Sequence, residues 1–126
     1  MEMHSRVEDG WLMVFYLQGE IDAETGPDFR EALEQARAEG QRWFLIDLLE
    51  TEYMDSVALG ILLGTAKETS KVEGRLAVAC NRPNLVKLFE LTGVKELLNV
   101  QESAAVARSL LEQAHQTADQ SQDGGE

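Results

Sequence analysis

Asp55 and Ser56 stand together in "EYMDSVALGILLG", residues 52–64, where an apolar run hands over to helically spaced apolar residues. An acid beside a hydroxyl at such a junction has few chemistries open to it. A serine opening a helix satisfies free backbone N–H groups, which is worth about 1 kcal/mol. The same N–H groups and the helix dipole favour a phosphate attached there. The acid of a capping box is missing, because the residue three positions on is Leu59. Nucleophilic hydrolysis needs a histidine held beside the serine, and His4 and His115 lie near the chain ends. No G-x-S-x-G elbow is present. Asp22 and Asp55 read as a metal pair or an acid/base pair only if further acids or substrate phosphates complete them, and no such motif surrounds them. No catalytic residue, metal ligand or cofactor is assigned.

Gly60 and Gly64 follow Ser56 at intervals of four, so the three share one helix face and leave it bare. Glycine inside a helix costs up to about 1 kcal/mol against alanine, so the track calls for a reason. It suits close packing on the protein's own sheet, or a flat dock where a partner's backbone approaches the serine.

Several elements must position these residues. "MEMHSRVED" reads as a weak edge strand, turned at Gly10 into "WLMVFYLQG", a buried strand. "GEID", 19–22, ends it. Thr25, Gly26 and Pro27 start a helix to about Ala38, with Phe29, Leu33 and Ala36 inward and Gly40 as its stop. "RWFLIDLL" suits a central strand covered on both faces, and "LETEYM" reads as a short acidic loop before a helix over 56–71. Gly74 precedes a third core strand, "RLAVAC". Pro83 opens a short helix that Gly93 closes. "VKELLNV" holds a brief last strand. A final amphipathic helix follows, with Val106, Leu110 and Leu111 inward. Trp11, Trp43, Phe44 and Phe89 read as core.

The alternation predicts one α/β domain over 1–117, with a mixed, mostly parallel sheet of four or five strands and about four helices. Residues 118–126 have no large apolar side chain and are expected to form a disordered acidic tail. In such folds sites gather at the carboxyl ends of the strands. That rim would carry Glu20 and Asp22, then Asp55 and Ser56, then Asn81 and Arg82.

Composition narrows the partners. Eleven Lys and Arg against 23 Asp and Glu give a formal net charge of -12 in 126 residues. The basic residues are scattered, so nucleic acid is not expected, and a basic protein surface is the natural partner. Cys80 is the single cysteine, which fits a reducing compartment. The N-terminus lacks signal-peptide character, and no apolar run approaches the ~20 residues that span a bilayer. A cytoplasmic protein is expected, monomeric or weakly dimeric, with no membrane insertion.

"GEID", "YMDS" with its following glycines, and "LVKLFELTGV" resemble in type and order the STAS domain, more narrowly the bacterial anti-sigma factor antagonists, over about residues 5–112. The resemblance implies a small cytoplasmic switch rather than an enzyme. Unphosphorylated, such a protein binds an anti-sigma factor that is also a serine kinase and so frees a sigma factor. The kinase phosphorylates the serine after the motif aspartate, here Ser56, and a PP2C-type phosphatase resets the switch. Asp22, Asp55, Ser56, Gly60, Gly64 and Arg82 are the expected partner-binding residues. The family usually reads Asp-Ser, then Ser or Thr, then Gly; here Val57 and Ala58 fill the last two places. They remove a second hydroxyl and add bulk where the kinase approaches. The alternative is a STAS docking subunit of a signalling scaffold or lipid-transport ATPase complex, in which Ser56 only caps its helix.

Overall fold

In the computed structural model, which describes the backbone of residues 1–124 and the side chains of 1–118, the strands follow one another across a single sheet. The elements are β1 (Glu2–Glu8), β2 (Leu12–Ile21), α1 (Gly26–Ala38), β3 (Trp43–Met54), α2 (Ser56–Lys71), β4 (Arg75–Ala79), α3 (Pro83–Leu91), β5 (Val100–Gln101) and α4 (Ala104–Gly124). Strand order is β1-β2-β3-β4-β5. The β1–β2 pair is an antiparallel hairpin and the other three pairings are parallel. The expected mixed, mostly parallel α/β domain is what forms.

Strand alternation splits the core in two. Phe15, Leu17, Phe44, Ile46, Leu48, Leu76 and Val78 face α1, α2 and α3, meeting Phe29, Leu33, Leu62, Leu85 and Phe89. Each fully buried side chain of this kind contributes about 1.5–3 kcal/mol. Three crossover helices on one face is what equal-handed crossovers demand when a sheet grows in one direction. Leu12, Val14, Trp43, Leu45, Ala77 and Ala79 face the other way, onto Ala107 and Leu111 of α4. Trp11 stacks on His115 with ring centroids 4.1 Å apart, and Trp43 meets the same imidazole edge-on at 5.2 Å.

Two expectations need correction. "LETEYM" is not a loop: β3 continues through it to Met54, pairing Gln18 with Glu50, Gly19 with Thr51, Glu20 with Tyr53 and Ile21 with Met54. Register shifts between Tyr16 and Gln18 and between Gly19 and Glu20 break the alternation that marks a strand. Gly19 carries the second irregularity at φ +95°, a conformation that side chains resist. The Thr51 hydroxyl, fully buried, donates to the Leu17 carbonyl at 2.8 Å. Val106 does not face inward but is half exposed, because the buried stripe of α4 runs through Ala107 and Leu111. Leu110 is partly buried against that stripe. The expected disordered tail, 118–126, falls mostly outside the residues whose side chains are described. Within them, Ala118 still packs on the α4 cluster.

Gly74 is required by close approach. A Cβ there would lie 2.0 Å from the Arg42 carbonyl oxygen. Arg108 anchors α4 to the hairpin, donating to Glu8, Asp9 and Glu112. Hydrogen bonding from Arg6, together with Arg108, holds the Glu8 carboxyl below its usual range.

Two measurements check this account. A carboxyl whose folded pKa is depressed contributes stability above its unfolded pKa and loses it as pH falls through the folded value. Arg108→Ala should therefore cost about 1 kcal/mol at pH 7 and much less near pH 3, by urea unfolding at both. An equal cost at the two pH values would show that Arg108 acts only through packing. Ending the chain after Ala118 should change stability by less than about 0.5 kcal/mol. A drop of several degrees in Tm would mean that the removed segment docks.

Candidate functional site: the rim around Ser56

β2 and β3 end side by side at Ile21 and Met54, so the turns that follow them meet. The Asp55 amide donates to the Ile21 carbonyl at 3.2 Å. The Asp55 carboxylate then serves two elements. Its Oδ1 accepts from the amides of Val57 and Ala58, both at 3.0 Å, and its Oδ2 accepts from the Ala23 amide at 3.0 Å. Asp55 is thus the N-cap of α2, and the expectation that Ser56 caps the helix is corrected. An aspartate in extended conformation one residue before the helix presents its oxygens to the second and third amides, which the first helical residue cannot reach.

Ser56 is left free. It is the first residue of α2, exposed, and among the described residues its hydroxyl has no hydrogen-bond partner. His115 is on the α4 face against Trp11 and Trp43, and His4 lies on β1 opposite Tyr16.

Asp22 organises the neighbouring turn. Its Oδ1 accepts from the amides of Glu24 at 2.9 Å and Thr25 at 3.0 Å. The Thr25 hydroxyl donates to the Glu20 carbonyl at 3.1 Å and accepts from the Asp22 amide at 3.0 Å. The Thr25 amide, with that of Glu24, holds the Asp22 carboxyl below its usual range. Asp22 Oδ1 and both oxygens of Asp55 accept from backbone N–H groups. No cluster of three or more His, Cys, Asp or Glu suited to a metal exists among the described residues.

Gly60 and Gly64 face outward, and a Cβ at either would meet nothing within 4 Å. The track therefore does not pack on the protein's own sheet. Leu62, on the opposite side of α2, is fully buried, and Leu63 is partly buried against the same core. The glycines floor a groove of about 330 Å³ between α1 and α2, with Arg30, Glu34, Arg37 and Lys67 among its walls. Ser56, Gly60 and Gly64 thus form one open surface beside the Asp22 turn.

Arg82 stands apart. It is the N-cap position of α3 and partly buried, with its Nε lacking a partner. The α3 start is tied lower on β3, where the Asn84 side-chain amide donates to the Glu52 carbonyl at 3.0 Å. No hydrogen bond or ion pair among the described residues joins Arg82 to Asp22, Asp55 or Ser56. Val57, singled out in the sequence as added bulk, is 37% exposed; Tyr53, which sequence reading did not name, is 48% exposed two residues before Asp55. An aromatic residue next to the motif was the available signal, hidden by reading 49–54 as a loop.

Comparison with known proteins follows the same outline. The STAS domain family model matches residues 2–107. The anti-sigma-B factor antagonist of Staphylococcus aureus (strain NCTC 8325 / PS 47) is 35% identical over 88 residues, covering 70% of this chain and 82% of that protein. The anti-sigma-B factor antagonist of Listeria monocytogenes is 35% identical over 85 residues, covering 68% and 75%. The crystal structure of an anti-sigma factor antagonist from Mycobacterium paratuberculosis is similar with a TM-score of 0.81 at 26% identity, over 88% of this chain and 93% of that one. The fold is also that of the Bacillus cell fate determinant SpoIIAA in its phosphorylated form, with a TM-score of 0.69 at 23% identity, over 86% and 99%. With its fold and most of its length accounted for in this way, the chain belongs to the STAS domain family, and its likeness there is to the anti-sigma factor antagonists.

Proposed function

We propose that this protein is an anti-sigma factor antagonist switched at Ser56. Unphosphorylated, it binds an anti-sigma factor kinase and frees a sigma factor in the cytoplasm. Phosphorylation of Ser56 breaks the complex, and a PP2C-type phosphatase restores it. The observation that carries this reading is the exposed, unbonded Ser56 hydroxyl at the head of an open glycine face. A kinase needs a hydroxyl free to approach, and here Asp55 has taken over the capping role.

The electrostatics favour an interfacial switch. A phosphate adds a charge of about -1.5 to -2 at neutral pH. Two of the α2 amides that would receive it already donate to Asp55, and the Asp22 and Asp55 carboxylates oppose it. The new charge therefore finds little accommodation within the fold and acts where a partner strips it of water. A hundredfold loss of affinity requires about 2.7 kcal/mol, within reach of one unpaired dianion at an interface.

The docking-subunit reading keeps one specific support, the exposed Val57 where the family carries a hydroxyl; Ala58, in the place of the glycine, is fully buried and adds nothing to the surface. It no longer has the argument that Ser56 is needed as a cap.

Titration against ATPase-type anti-sigma factors from the same genome, at fixed ionic strength, separates the two. Ser56→Ala should bind as tightly as the unmodified protein, Ser56→Asp more weakly, and the phosphoprotein about a hundredfold more weakly. Equal affinity of all forms for a partner that does bind would establish the docking subunit instead. Gly64→Leu tests the face itself. The side chain enters open space, so the domain should keep or slightly raise its Tm while partner binding falls below detection. Normal binding by this folded variant would remove Gly64 from the interface.

A further inference from the structure

We infer that Asp55 is a positioning residue. Its carboxylate clamps the Asp22 turn to the start of α2, so that the turn and Ser56 present one composite surface to the partner. The inference rests on the anti-sigma reading only for the identity of that partner.

The 22–25 turn holds its own shape. Asp22 accepts from Glu24 and Thr25, Thr25 ties back to Glu20 and Asp22, and the Gly26 amide donates to the Asp22 carbonyl at 2.6 Å. None of these bonds reaches α2. One side-chain bond does, from the Ala23 amide to Asp55 Oδ2. The other oxygen of the same carboxylate is committed to Val57 and Ala58, immediately after Ser56. The Ile21–Asp55 backbone bond brings the two segments close, and this planar group of fixed size then fixes the turn against the start of α2. A group with a single accepting oxygen caps the helix as well but cannot also hold the turn. Three of the carboxylate's about four acceptor sites go to backbone amides, so most of its hydrogen-bonding capacity is spent on holding the turn and the cap. Its effect on recognition passes through where Asp22 stands.

Asp55→Asn tests this. Its amide oxygen keeps the α2 cap, while its NH₂ faces the Ala23 N–H, donor against donor. Asp55→Ser, with one oxygen, is the second variant. Amide hydrogen exchange on the free protein should show Ala23 exchanging about tenfold faster in both variants, with Val57 and Ala58 near the parent rates. Unchanged Ala23 exchange in both would overturn the clamp whether or not any anti-sigma factor binds. Partner titration then reads the composite surface. Asp55→Asn should weaken binding about tenfold in the parent and have little further effect once Asp22→Ala is present, because both changes act through the same turn. Additive losses would overturn the composite surface while leaving the anti-sigma reading intact.

Discussion

β2 and β3 run in parallel from Leu12 and Trp43 to Ile21 and Met54, and everything at the rim hangs from where that pairing stops. β4 leaves the sheet after Ala79, paired with Asp47, so β3 continues beyond it with β2 alone as its neighbour. The last strand residues bring the Ile21 carbonyl to the Asp55 amide. From that bond follow the direction of α2, the seat of its cap and the nearness of the Asp22 turn. The cost is a stretch of ladder with two irregularities, offset by the buried Thr51 hydroxyl on Leu17 and by Met54 in the core.

Most of the fold was legible because strand and helix periods were clean. The alternation of elements, the bounds of α2, the edge position of β1 and the brief β5 all follow from apolar spacing, Gly and Pro. The misread segments have local causes. Residues 49–54 carry two glutamates and a broken alternation, since bulges shift which side chains face the core. Val106 is the bulkier apolar residue, yet Ala107 is the buried one, because small Ala77 and Ala79 on β4 leave close quarters for α4. Which of two adjacent capping residues takes the helix amides depends on backbone conformation, and the extended Asp55 was not evident from residue type.

At the rim, spacing grouped Ser56 with Gly60 and Gly64, and strand-end logic added Asp22, Asp55 and Arg82; the structure joins Asp55 to the Asp22 turn through the Ala23 amide and leaves Arg82 apart. The two aspartates look alike in sequence and do different jobs. Asp22 shapes a turn from within, and Asp55 joins two elements. Both accept from backbone amides. The open glycine face is legible only with coordinates, since a bare helix track has the same spacing whether it faces a sheet or solvent.

Both tryptophans of the chain sit in the cluster beneath α4, Trp11 stacked on His115 and Trp43 edge-on to it. Their emission is therefore an optical gauge of how α4 is seated on the sheet. The Ser56 surface lies beside α2, at the opposite end of the sheet, and has no tryptophan. Tryptophan emission in this protein thus follows the packing of α4 and leaves the docking face silent, without a label on either.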